Sequence, residues 1–248
     1  MLVLLLFAIG AGAGALGALL GVGGGVVLVP ALVFLADLSF TAAVGTSLVC
    51  VVATSVAGSA VQFGRDGVSV ETAVPLQAFA VGGAVAAGLA APLVPVRALY
   101  VAFGVLLLYA AWRAWPRERR ATGVSRPHDV AARVGAGAGG AVASLLGVGG
   151  GIVFTPLLHL VLGLDFHRAA ATSVYLIGLT AGSGALVYLV RGDVALQLLG
   201  PTMLGVLLGA WLASTGARRI AAAWLTRAFA VLLVYVAARM LLRGFSGA

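Results

Sequence analysis

Lysine is missing from this 248-residue chain, cysteine occurs once, histidine three times, and charged residues make up only 9% of the sequence. A water-soluble domain carries roughly a quarter of its residues as Asp, Glu, Lys and Arg. A chain this poor in charge cannot wet its own surface, so most of that surface must face lipid. The lone Cys50 excludes an internal disulfide, and its apolar neighbours make it a small buried side chain. Three scattered histidines and one cysteine do not form a metal cluster. The lack of lysine removes the phosphate-binding loop, which needs Gly-Lys-Ser or Gly-Lys-Thr; Gly25 is followed by Val26 and Val27. A dinucleotide fold needs strands alternating with helices around its glycines, and that pattern is absent too. No cofactor is expected.

What the chain has in quantity is apolar sequence. No charge occurs from Met1 to Ala36, Leu38 to Gly64, Thr72 to Val96 or Ala98 to Trp112, nor from Ala169 to Val190 or Val194 to Ala217. About 20 residues at 1.5 Å each cross the hydrocarbon core, and backbone groups in lipid must be satisfied within the segment. The runs are therefore helices; the in-out alternation of a membrane barrel is not present. The formal charge of +8 comes from arginines set between the apolar runs. That is the pattern of the positive-inside rule rather than of a nucleic-acid surface.

Shifted by 126 residues, the chain matches itself without a gap. Gly21-Val22-Gly23-Gly24-Gly25 falls on Gly147-Val148-Gly149-Gly150-Gly151, Pro30 on Pro156, and Thr46-Ser47 on Thr172-Ser173. Arg65 falls on Arg191, Pro75 on Pro201, and Phe103, Leu106, Tyr109 and Arg113 on Phe229, Leu232, Tyr235 and Arg239. Repeats of this kind build many secondary transporters. The expected organisation is a first repeat over 1–116, a basic cytoplasmic loop over 117–129, and a second repeat over 130–248.

In each half three spans are clear: Thr41–Gly64, Thr72–Val94 and Arg97–Trp115, then His167–Val190, Val194–Gly216 and Arg219–Leu242. Leu2 to Ala36 would be about 50 Å long as one helix, and its glycines interrupt it. Either one crossing runs on into a short re-entrant piece, or two short helices both cross. The first choice gives four spans per half in parallel orientation, the second five in an inverted repeat. With the central loop inside, inversion also puts Arg168, Arg218 and Arg219 inside, and this charge pattern favours it. The expected fold is an all-α integral membrane bundle of 8 to 10 segments, with helices broken at the glycine motifs.

Transporters often hold substrate at helix breaks near the midplane, where half-helix N-termini present free N–H groups and positive dipole ends. Gly23, Gly24 and Gly25, and Gly149, Gly150 and Gly151, open such segments and are candidate substrate-binding residues. Thr46, Ser47, Thr172 and Ser173 are candidates to complete the site with hydroxyls. Gly21, Pro30, Gly147 and Pro156 are expected to shape the breaks. The competing reading of the glycines is close helix packing, and of the hydroxyls, bonding to their own helix. Gln62, Gln77 and Tyr188 are weaker candidates for lining a pore. His159, the one titratable group well inside an apolar run, is a candidate for proton coupling, although its counterpart is Val33. Gly182-Ser183-Gly184 suggests an intramembrane serine protease, but its counterpart Ala57-Gly58 has no serine, and packing of small residues explains it. The chain is not expected to be an enzyme.

The paired Gly-x-Gly-Gly-Gly-x-x-x-x-Pro segments, Gly21 to Pro30 and Gly147 to Pro156, each followed 16 residues after the proline by Thr-Ser, resemble the sulfite exporter TauE/SafE family, also called the 4-toluene sulfonate uptake permeases. The resemblance covers essentially the whole chain. It implies a multi-pass plasma-membrane transporter without ATPase subunits, moving sulfite, sulfonates or related organic anions, with protons as the suspected coupling ion. The partners expected are thus a small anion, the bilayer, and protons; a homo-oligomer is compatible, and nucleic acid is not. A passive anion channel on the same scaffold is the alternative, and a membrane partner that transports nothing is a third.

Overall fold

The computed structural model describes residues 2–20, 23–63, 67–114, 129–216 and 222–246, and these are helical with no strand among them. The first half contains α1 (Leu2–Leu20), α2 (Gly25–Leu35), α3 (Phe40–Phe63), α4 (Val70–Ala90) and α5 (Val96–Ala114). The second contains α6 (Asp129–Leu146), α7 (Gly151–Pro156, running on as a π turn over Leu157–Val161), α8 (Phe166–Val190), α9 (Leu196–Gly216) and α10 (Ala222–Ser246). Gly25 and Gly151, Phe40 and Phe166, Val70 and Leu196, and Val96 and Ala222 open equivalent helices 126 residues apart. Residues 117–128 of the central loop, with Arg65, Arg218 and Arg219, lie outside the described residues.

Among the described residues, α3, α4, α8 and α9 are each long and apolar enough to cross a membrane. Shorter apolar stretches lie in α1, α2, α5, α6 and α7 with its π turn. A single continuous helix over Leu2–Ala36 does not form. Gly24 lies back against the Ala13 carbonyl, so the chain folds over on itself between α1 and α2.

The halves pack by exchanging partners. α1 lies on α9 as α6 lies on α4, α2 on α3 as α7 on α8, and α3 meets α8 at the centre. Gly45 of α3 abuts Tyr188 of α8, and Gly58 abuts Val174, so this equivalent pair runs antiparallel. α5 and α10 do likewise, with Gly104 on Leu241 and Gly244 on Val101. Equivalent helices that cross antiparallel have the geometry of two halves in opposite orientation. The inner faces of α3 and α8 are fully buried at Val44, Leu48, Val51, Leu176, Ile177 and Ala181, while Val74, Leu89, Leu204 and Trp211 of α4 and α9 point outward.

Apolar side chains gain little by leaving lipid for a helix interface, so membrane helices associate through close packing of small residues. Here the approach is backbone on backbone. A Cβ at Gly14 would strike the Val206 carbonyl, and one at Gly209 the Ala11 carbonyl; the equivalent Gly140 and Gly83 face the Ala80 and Gly137 carbonyls. Gly12 and Gly82 have nothing within 4 Å of that position. Gly14→Ala and Gly140→Ala should each destabilise the fold by about 1–3 kcal/mol, the usual cost of overpacking. Thermal unfolding in detergent should show this as a lowered midpoint, with Gly12→Ala and Gly82→Ala unchanged or slightly raised.

Candidate functional site

The glycine motifs do what their composition allows and no other residue would. Gly23 and Gly24 have φ of 89° and 76°, and Gly147, Gly149 and Gly150 have 69°, 78° and 82°. This left-handed region strains any residue with a Cβ. Gly24 and Gly150 are the N-caps of α2 and α7, and no side chain caps either helix. Val27 and Val153 N–H bond the carbonyls of Gly24 and Gly150 at 3.1 and 2.9 Å, and the amides before them open each helix at its positive dipole end. Gly21 lies outside the described residues.

The two breaks meet. Gly25 packs on the Gly147 carbonyl and the Val148 backbone, and Gly23 and Gly149 both face Val51 Cγ1 and Ile177 Cγ2. Val51 and Ile177 are themselves equivalent positions, both fully buried. The centre of the duplication is therefore a small buried cluster of two glycines and two branched side chains. Ser47, one turn before Val51, donates its hydroxyl to the Gly147 carbonyl at 2.8 Å. Ser173 holds the equivalent place before Ile177 and is fully buried. Gly151, the equivalent of Gly25, is buried as the first residue of α7.

The threonines have a different task. Thr46 Oγ1 donates to the Ala42 carbonyl at 2.7 Å and accepts the Ala195 N–H at 2.9 Å. Thr172 Oγ1 accepts the Ser69 N–H at 3.0 Å. Ala195 and Ser69 are equivalent and immediately precede α9 and α4. Each threonine thus pins the start of a helix in the opposite half.

Pro30 lies inside α2, and Pro156 is the last residue of α7 before the π turn. A helical proline lacks the N–H for the carbonyl four residues back, here that of Val26 or Ile152. The prolines bend the short helices; the glycines break the chain. His159 Nδ1 is 2.7 Å from the Leu164 carbonyl, and its ring meets Phe166 edge-on at 6.1 Å. The ring is tied to the α7–α8 connection, not to the glycine breaks. Ser183 donates to the Thr180 carbonyl at 2.8 Å, bonding to its own helix.

Val51 and Ile177 are the residues the motifs did not reveal. Their one sequence signal is that they stand 126 apart, one turn after the two Thr-Ser pairs. Other polar groups stitch the inner helices: Ser55 donates to the Val174 carbonyl at 2.5 Å, and Gln77 Nε2 lies 3.3 Å from Thr180 Oγ1. Tyr188 donates to the Ser144 carbonyl at 3.1 Å. Thr46→Val and Thr172→Val keep the shape of the side chain but orphan a part-buried N–H, and each should cost about 1 kcal/mol. Equal losses of thermal stability from the two variants would match their equivalent bonds; a variant with wild-type stability would rule out the pinning role.

Comparison with known proteins agrees with this architecture. Residues 6–240 match the family model described as sulfite exporter TauE/SafE. The chain is 25% identical over 236 residues to the probable membrane transporter protein YunE of Bacillus subtilis (strain 168), covering 83% of this chain and 86% of that one. No solved structure matches it significantly. A multi-pass membrane transporter built of helices that meet at two glycine breaks, this chain belongs to the sulfite exporter TauE/SafE family.

Proposed function

We propose that the protein is a secondary transporter of small anions, with sulfite, sulfonates and related organic anions as its substrate class, working by alternating access. The observation that carries this reading is the meeting of the two breaks, where Gly23 and Gly149 face the same Val51–Ile177 pair. Two half-helix N-termini converge there, one from each half. Their amides and dipole ends favour a single negative charge without needing a lysine. The anion is held by backbone amides of Gly24 to Val26 and Gly150 to Ile152, while the Ser47 hydroxyl, bonded to the Gly147 carbonyl, braces the break. The site is closed by Val51 and Ile177, so substrate enters only when the halves rock apart. A pH gradient is the proposed driving force, with no part assigned to His159, whose ring is engaged with Leu164.

Proteoliposomes loaded with sulfite test this reading. Efflux should saturate and respond to a pH gradient, and in Gly24→Ala or Gly150→Ala protein that still folds it should fall by about tenfold, an interaction loss of about 1.4 kcal/mol. Gly12→Ala and Gly82→Ala, whose added methyls meet nothing within 4 Å, serve as controls at wild-type rate. Flux that rises linearly with concentration would identify a channel. Wild-type flux in both glycine variants would remove the breaks from the site.

A further inference from the structure

One face of α8 leads away from the glycine breaks. Ile177, Ala181, Gly184 and Tyr188 are buried along it turn after turn, and Arg191 follows where the helix ends. From Ile177 to Arg191 is about 21 Å of helix at 1.5 Å per residue, enough to reach from the centre of a bilayer to one face. α5 starts at that face and runs to the opposite one, where the Arg-rich central loop begins. With that loop in the cytoplasm, the line points outward.

Ser144 of α6 stands part-way along this line. Its Oγ lies 2.9 Å from where a Cβ would stand on Gly88 of α4, and 3.0 Å from the same point on Gly184 of α8. Two helices thus leave out a side chain around one hydroxyl. Serine and threonine on a helix commonly bond back to a carbonyl three or four residues earlier, as Thr46, Thr180, Ser183 and Thr202 do here. Ser144 is fully buried, yet its Oγ has no hydrogen-bond partner among the described residues. A buried hydroxyl left unpaired lowers stability. Packing does not demand it, because the equivalent residue is Ala18, which is also buried. At that equivalent junction the hydroxyl comes from another wall. Ser214 stands where Gly88 does, and Ser214 Oγ and Ala18 Cβ each lie 4.0 Å from the Cβ position of Gly58, the counterpart of Gly184. Each junction therefore holds one hydroxyl at the same depth.

Nearer the face, the line ends in a cation. Arg191 Nη1 donates to the Gly88 carbonyl at 3.1 Å, and its Nη2 is 2.9 Å from Asp193 Oδ2, with the side chain 27% exposed. Tyr188 lies between, its hydroxyl on the Ser144 carbonyl at 3.1 Å and its ring 5.4 Å from the guanidinium. We propose that this line is the outward half of the anion's path, with the Ser144 hydroxyl as a ligand on the way and Arg191 at the mouth. The order of groups suits sulfite or a sulfonate: a part-exposed guanidinium gathers the oxyanion, a lone hydroxyl donates to one of its oxygens, and the amides that open α2 and α7 receive it. Tyr188 and Leu48 fill the line in the closed protein, and rocking of the halves brings Ser144 the acceptor it lacks. The inference rests on the alternating-access reading above and adds a route to it.

Ser144→Cys in a Cys50→Ser background tests the route with thiol reagents of opposite charge. Sulfonatoethyl methanethiosulfonate carries the sulfonate of the proposed substrate class, and the trimethylammonium analogue is its cationic counterpart. In nanodiscs, with rates taken relative to a free thiol in solution, the sulfonate reagent should react at Ser144→Cys about tenfold faster than the cationic one, the low end of electrostatic focusing. Sulfite should slow that reaction, and Arg191→Gln should remove the preference. Ala237→Cys, buried where α10 meets Gly104 of α5, should react with neither reagent. In Ser144→Ala the thermal midpoint should match or exceed that of wild type while sulfite efflux falls about fivefold, the loss of one hydrogen bond. No reaction at Ser144→Cys, equal rates with the two reagents, or a rate no higher than at Ala237→Cys would overturn the route, as would wild-type efflux in Ser144→Ala. Charge-selective labelling with no sulfite efflux in wild type would uphold the route and reject sulfite as the substrate. Efflux that depends on Gly24 and Gly150 while Ser144→Cys stays unlabelled would uphold the carrier and reject the route.

Discussion

Everything in this fold depends on backbone approaching backbone where no side chain stands between. Lipid offers helices no hydrophobic reward for associating, so contact area and fit must supply the attraction. The Gly25 contact with the Gly147 carbonyl joins the two breaks, and the glycines of α1, α4, α6 and α9 bring the outer helices onto one another. A methyl group at any of these points would separate the elements that meet there. The same absence of side chains exposes amides at the start of α2 and α7, so packing and chemistry come from one compositional choice.

Duplication then multiplies each solution by two. Thr46 and Thr172 pin equivalent helix starts across the halves, and Val51 and Ile177 close the centre from either side.

Much of the architecture was legible in the apolar runs and the self-match. The segments expected over Thr41–Gly64 and His167–Val190 became α3 and α8 within a residue or two, because an uncharged run bounded by Asp37 and Asp165 has few ways to fold in lipid. The glycine triplets were legible as breaks, since consecutive glycines cost a helix too much to be accidental in both copies. The roles of the hydroxyls were not. A serine or threonine on a membrane helix bonds to whatever carbonyl or amide lies near, and whether that is a neighbour four residues back or a loop 149 residues away depends on packing alone. The surroundings of His159 were hidden for the same reason: an apolar run conceals that its end turns toward Leu164.

Selenite, an analogue of sulfite whose selenium scatters anomalously, locates the anion directly in a crystal of the protein in lipid. The account predicts one anomalous peak within hydrogen-bonding distance of the amides that open α2 and α7, between the Val51–Ile177 pair and the two glycine triplets. A peak confined to another part of the bundle, with none at the glycine breaks under saturating selenite, would contradict it.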